Sequence, residues 1–310
     1  MRMRDYSEFI QLIVEKSKIK KPDLIERDVI LHTILKRMYS SRYFAQNYIF
    51  KGGTCLVKCY FGYYRFSVDL DFTFMNQKKW EGLSKRGRRK ALVEEAQKIG
   101  NLIEAIASYV GLEFNAELQN RRYIEFGSGS RMVTYKLYYP GREGSLIKIQ
   151  VNLVENILFG PKRLTAKALL SGVPLSRNDR LYFYDFLEDY SEVEVLAYDL
   201  REILAEKVRA ILTRKVQKLR DFYDLYLLHN HGLNVPDYED AIIKKVVPAL
   251  RYERYLENFE RNKAAFDEGF NILDEYELYL LNTKVDDRFV RFFDSLVDDI
   301  GRIIDKIEET

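Results

Sequence analysis

The sequence predicts an α+β protein, with a mixed-sheet core, helices before it and a helical domain after it. Three observations predict this. Residues 68–74, Val-Asp-Leu-Asp-Phe-Thr-Phe, alternate with a period of two, and β-type patterns return at 112–126, 131–139 and 145–153. Apolar residues recur at helical spacing over residues 5–45 and again from 196 to the end. Between the first helices and the alternating segment stands Gly52-Gly53, where a short apolar run gives way to a helix-like one.

Each element follows in order. Pro22-Asp23 starts a helix, because proline fits the first helical position, and Leu24, Ile25, Val29, Ile30, Ile34 and Leu35 then form its apolar stripe. Tyr48-Ile-Phe50 reads as a strand ended by the two glycines, and Thr54–Tyr60 as a short helix stopping at Gly62. A helix is expected over 84–110, basic at its start and apolar later through Leu92, Ile99, Ile103 and Ile106. The three β patterns that follow are separated by Gly/Ser and Pro-Gly-Arg-Glu-Gly turns. Residues 199–229 suit one long amphipathic helix or two. The last segment sets Phe289, Phe292, Phe293, Leu296, Ile300, Ile303, Ile304 and Ile307 on one stripe. The division expected is 1–45 for an N-terminal helical segment, 46–195 for the core and 196–310 for a helical domain.

With 47% hydrophobic and 31% charged residues the chain is expected to bury real cores. Fifty Lys and Arg against 47 Asp and Glu leave a net charge of +3, too mild to argue nucleic-acid binding from charge alone. Local clustering is stronger: Lys78-Lys79 and Lys85-Arg-Gly-Arg-Arg-Lys90 form a basic stretch suited to a phosphate backbone, or to a solvated helix start. The two cysteines, Cys55 and Cys59, are read as small apolar residues on one helix face; with His32, His229 and His231 far off they do not supply the four ligands of a structural zinc site, and a cytosolic compartment is expected. The 23 tyrosines are assigned no site. The charged opening Met1-Arg-Met-Arg-Asp5 is not that of a signal peptide, and no apolar run approaches the roughly 18 residues of a membrane span.

The chemistry concentrates in Asp69 and Asp71. Two apart on a strand, they point to the same face, with Leu70, Phe72 and Phe74 on the other. Paired carboxylates repel unless a cation offsets them, and Mg²⁺ accepts one or two carboxylates plus phosphate oxygens and water. Mn²⁺ is the alternative ion. A bare Asp-x-Asp is more often a solvated strand face, but here Lys51-Gly-Gly-Thr54 lies just upstream between strand and helix. Such a turn aims backbone N–H groups and a helix N-terminus at an anion. With Arg65 and Ser67 directly before the pair, Lys51, Gly52, Gly53 and Thr54 form a candidate site for an NTP triphosphate.

These residues carry a resemblance. Phe50-Lys-Gly-Gly-Thr-Cys-Leu56 followed by Arg65-Phe-Ser-Val-Asp-Leu-Asp-Phe72 resembles the AbiEii-like nucleotidyltransferases, the toxin halves of AbiE and MenAT toxin–antitoxin systems. Ile25-Glu-Arg-Asp-Val-Ile-Leu31 is similar to the family's helix ahead of the glycine motif. Arg201-Glu-Ile-Leu-Ala-Glu-Lys207, then Arg214 and Arg220-Asp-Phe-Tyr-Asp-Leu225, resembles its later motifs. The resemblance implies a polymerase-β-like nucleotidyltransferase core, transfer of a nucleotide from an NTP to an acceptor that is tRNA for some members, and a cognate antitoxin as partner. By resemblance Gly52, Gly53 and Thr54 hold phosphates with help from Ser67, Asp69 and Asp71 bind metal, Lys207 contacts the triphosphate, and Asp221 or Asp224 completes the catalytic set.

One departure stands out. Related enzymes place a third acid on a later strand, but Ile147-Lys-Ile-Gln-Val-Asn152 offers Gln150 and Asn152, and neither amide can be a general base. Asp221 or Asp224 replaces it, or the acceptor hydroxyl loses its proton to water. Two rivals share the fold: transfer to a protein or small molecule, and a nucleotide-binding module without turnover.

Overall fold

The computed structural model describes residues 5–268 and 274–309; the charged opening of residues 1–4 lies outside them. The chain separates into two compact units, Met1–Glu155 with Pro161–Ala197, and Asn156–Gly160 with Tyr198–Thr310. No helix among the described residues is long and apolar enough to cross a membrane.

The first unit is built on a mixed sheet. Its strands are β1 (Tyr48–Lys51), β2 (Asp69–Phe74), β3 (Ile124–Gly127), β4 (Met132–Tyr138), β5 (Leu146–Asn152), β6 (Lys162–Ala166) and β7 (Val193–Ala197), in the order β3-β4-β5-β2-β1-β7-β6. Strand β2 lies in the middle, antiparallel to β1 and parallel to β5. Parallel neighbours need a long crossover, and the helix Lys85–Val110 lies within it. Ser84 caps that helix by accepting the Gly87 N–H at 3.1 Å, and Gly111 ends it in the left-handed region.

The two sheet faces differ in chemistry. Leu70, Phe72, Val133, Tyr135, Ile147, Ile149 and Phe50 are buried on one face. Helices Pro22–Ser40 and Lys85–Val110 pack there, with the single Tyr39 hydroxyl proton shared between the Tyr48 and Leu196 carbonyls at 3.1 and 3.0 Å and Tyr135 donating to the Ala96 carbonyl at 2.8 Å. At about 1.5–3 kcal/mol per fully buried large apolar side chain, this face dominates the unit's stability. Trp80 closes its edge, lying 5.1 Å from the Phe74 ring and donating its indole N–H to the Leu153 carbonyl at 2.8 Å. The opposite face carries Asp69, Asp71, Lys148, Gln150 and Asn152.

One expectation is corrected, and four short elements are found where none was expected. Residues 112–126 hold only β3 and an isolated Glu113–Tyr138 bridge, with turns between. Asn115 and Asn120 accept the main-chain N–H two residues on, at 2.7 and 3.2 Å, and such Asx turns compete with a strand ladder. Strands β6 and β7, and the short helices Arg177–Tyr182 and Tyr184–Asp189, carry too few residues to show a period in sequence.

The second unit is helical: Leu200–Thr213, Leu219–Asn230, Glu239–Leu250, Glu253–Glu268, Glu275–Leu280 and Asp287–Glu308. The 199–229 pattern thus resolves into two helices. The two N–H protons of the Asn262 amide are shared among the Ile211, Leu212 and Arg214 carbonyls at 3.1, 3.0 and 2.9 Å, serving acceptors left open where the first one ends. In the last helix Phe289, Leu296, Ile300, Ile303, Ile304 and Ile307 are buried as one stripe. Phe292 and Phe293 are half-buried beside the rings of His229 and Phe222.

Candidate active site

In the first unit the predicted residues of 51–71 gather where β1 ends and β2 begins. Cross-strand register puts Lys51 opposite Asp71 on one side and Gln150 opposite Asp71 on the other, all on one face. Asp69 lies one step earlier, opposite Lys148, which is exposed. Both aspartates are half-buried. The strand beside β2 therefore puts an amide where a third carboxylate would stand. Gln150 donates to Thr134 Oγ1 at 3.4 Å, a long bond that leaves it a weakly held neighbour of Asp71.

The glycine turn touches this strand. Gly52 has φ +73°, and a Cβ there would lie 2.5 Å from Asp71 Oδ2, so the left-handed backbone and the absent side chain together let the turn press against the carboxylate. A Cβ on Gly53 would collide with the Arg65 guanidinium, which is buried, donates to the Phe66 carbonyl at 2.9 Å and lies 5.5 Å from the Tyr64 ring centre. Each glycine thus leaves room for one charged group. Thr54 is buried; its hydroxyl bonds the Asp69 carbonyl and lies 2.6 Å from Ser67 Oγ. A carbonyl can only accept, so the single Thr54 proton goes there and Ser67 donates to Thr54. The turn, Ser67 and the first carboxylate residue are therefore hydrogen-bonded into one piece. Cys55 and Cys59, on the turn's helical continuation, are not joined in a disulfide among the described residues.

Behind the turn lies a buried network that sequence reasoning missed. Lys58, on the wide π-helical turn Leu56–Phe61, donates to Asp28 Oδ1 at 2.7 Å and to the Tyr63 hydroxyl at 2.8 Å. Tyr63 and Tyr190 both donate to Asp28 Oδ2. Burial pushes the Lys58 ammonium down despite the opposing pull of Asp28; burial and the Asp28 charge push both phenols well above their usual range. His32, a helical turn beyond Asp28, is buried with its Nε2 2.7 Å from the Ser191 carbonyl. Burial, then the Lys58 charge, push its pKa down to about 3, so the ring is neutral and its Nε2–H is the donor. The sequence signal nearest to it is the Ile25–Leu31 block, read only as similar to the family's helix ahead of the glycine motif.

The second unit holds the remaining predicted residues. Lys207 Nζ lies 2.6 Å from both Asp221 Oδ1 and Asp224 Oδ2, and Arg214 also pairs with Asp221. All three of Lys207, Asp221 and Asp224 are buried, Asp224 completely, so these are not solvated helix charges. Burial pushes the Asp221 carboxyl up, but Lys207 and Arg214 beside it outweigh that and hold it well below the carboxylate range. Arg220 pairs instead with Glu277 at 3.1 Å.

Residues 33–295 match a family model described as nucleotidyl transferase AbiEii toxin, type IV TA system. Among solved structures, the MenT4 nucleotidyltransferase toxin from Mycobacterium tuberculosis H37Rv is similar at a TM-score of 0.53 and 16% identity, over 97% of this chain and 90% of that chain. At that identity the likeness is one of fold. No curated protein matches.

Proposed function

The chain belongs to the AbiEii family of nucleotidyltransferase toxins of type IV toxin–antitoxin systems, and from that premise we propose that it moves a nucleotide from an NTP to an RNA acceptor, tRNA first among them, and is held by a cognate antitoxin. The observation that carries the reading is the contact of Gly52 with Asp71: a turn suited to phosphates abuts a carboxylate suited to a cation. Asp69 and Asp71 hold Mg²⁺ or Mn²⁺. The donor set is two half-buried carboxylates two positions apart on one face of β2. Two carboxylates then leave the other positions to phosphate oxygens and water, as Mg²⁺ prefers. When bound, the ion supplies charge neutralisation at the transferring phosphate.

The chain's own residues divide the remaining work. Gly52, Gly53 and Thr54 present the helix N-terminus to the triphosphate, and Lys51 adds charge on the Asp71 row. Ser67 contacts a phosphate by rotating its proton away from Thr54. Arg65, buried behind Gly53, acts by holding the turn and raising its positive potential. From the resemblance Lys207 is the further cation for the triphosphate, kept in place by Asp221 and Asp224. Neither acid suits a general base: one is held far below its usual pKa by two cations and the other is wholly buried. Loss of the acceptor proton to water is the route that these environments favour.

An anionic acceptor is supported by the helix Lys85–Val110. Lys85, Arg86, Arg89 and Lys90 are exposed at its N-terminal end, where the helix dipole is also positive, and Lys90–Glu94 at 3.8 Å is the ion pair found for these four among the described residues. Such crowding opposes helix formation and suits a polyphosphate partner. The test is incubation with each of the four labelled NTPs, total RNA and total protein. Wild type is expected to label RNA, and Asp69→Asn and Asp71→Asn to lose about 10²-fold or more of that labelling, beyond the loss typical of an outer-sphere change. Equal labelling by the variants, or label on protein, overturns the reading.

A further inference from the structure

We propose that Arg27 is a positioning residue for Asp69, setting the first carboxylate through the peptide that precedes it. The inference rests on the metal role just proposed for that carboxylate. Arg27 sits on the helix Pro22–Ser40 and reaches the sheet with two arms: Nη2 donates to the Leu146 carbonyl at 2.6 Å and Nε to the Val68 carbonyl at 3.3 Å. Leu146 is the first residue of β5, and Val68 immediately precedes β2. The guanidinium therefore spans the two parallel strands where their ladder begins, at the end that carries the carboxylates.

Asp69 is held on both sides by side chains. Arg27 takes the carbonyl of the peptide before it, and the Thr54 hydroxyl takes the carbonyl of the peptide after it. A strand end has few ladder bonds to fix its peptide planes, so these two donors decide which way the Asp69 side chain leaves the sheet. The flanking residues hold the helix that carries Arg27. Glu26 pairs with both Nη atoms of Arg142, in the β4–β5 turn, at 2.8 and 3.1 Å. Asp28 is fixed to Lys58, on the continuation of the glycine turn. Glu26, Arg27 and Asp28 thus tie one helix to the β4–β5 turn, the strand ends and the phosphate turn. Lysine cannot substitute well, because a single ammonium lacks the planar fork that spans two carbonyls.

The experiment compares wild type, Arg27→Lys and Arg27→Met by amide hydrogen exchange, with circular dichroism melts as the check on folding. Arg27→Met is expected to speed exchange at residues 68–71 about tenfold, as loss of a charged donor to a local segment would. Arg27→Lys should fall between the two, and the melts should move little. Unchanged exchange at 68–71 in a folded variant overturns the proposal, as does acceleration spread evenly over the first unit. A Mn²⁺ titration by electron paramagnetic resonance separates this idea from the reading beneath it. Arg27→Met is expected to bind several-fold more weakly than wild type. Wild type that binds no Mn²⁺ sinks the metal role of Asp69, while the exchange data still decide whether Arg27 holds the peptide.

Discussion

At Gly52 a methyl group would stand 2.5 Å from Asp71 Oδ2 on a backbone already at φ +73°, so substitution meets two separate obstacles. The left-handed conformation costs a non-glycine residue roughly 1–2 kcal/mol. Gly52→Ala is therefore expected to lower the melting temperature by about 2–8 °C. Activity should suffer more, by about 10²-fold, because displacing a catalytic group by an ångström costs that much. A melt and a labelled-NTP assay on the same preparation check both; full activity with a lowered melting point would mean that the contact does not matter to catalysis. The aspartates and glycines were legible because their residue types and spacing are themselves the signal. Arg27 and Lys58 were not, since their meaning lies in partners 30 to 119 positions away. Sequence separation of that size leaves no local pattern.

The helix Pro22–Ser40 and the π-helical turn Leu56–Phe61 are joined through the buried Asp28–Lys58 pair, and that junction responds in a characteristic way. Removing one partner of a buried pair leaves an uncompensated charge at about 3–5 kcal/mol, whereas replacing both with neutral groups of like size recovers much of it. Lys58→Met and Asp28→Asn should each lower the urea midpoint sharply, and the double variant should be much more stable than the sum of the two predicts. Additive losses would show that the two groups act independently. Elements with a sustained period were readable: the 84–110 helix, β2, β4, β5 and the last helix appear where alternation or the 3.6-residue stripe placed them. The 112–126 region failed for a physical reason, because Asn115 and Asn120 satisfy main-chain donors locally and so release that stretch from the sheet.

Across the whole molecule the two units carry different acid sensitivities. In the first, His32 is neutral with its pKa pushed down to about 3, against roughly 6.5 in an unfolded chain. Below about pH 6.5 the unfolded state takes the proton that the folded state refuses, so stability falls with pH by about 1.4 kcal/mol per unit until the folded value is reached. In the second unit Asp221 is depressed instead. Its contribution is intact above the unfolded value of about 4 and is lost as pH falls from there toward the depressed one. Peptide-resolved exchange from pH 7 to 3 should find the first unit loosening before the second, and His32→Phe should flatten the slope of the first between pH 6.5 and 4. Simultaneous loosening with an unaltered slope would refute the assignment. The chain's single tryptophan, Trp80, is buried in the first unit by the ends of β2 and β5, tilted against the Phe74 ring and anchored to the Leu153 carbonyl. Selectively excited tryptophan fluorescence is thereby a native probe of that unit, and wavelength shifts recorded on ligand addition or heating will report its core with no dye attached.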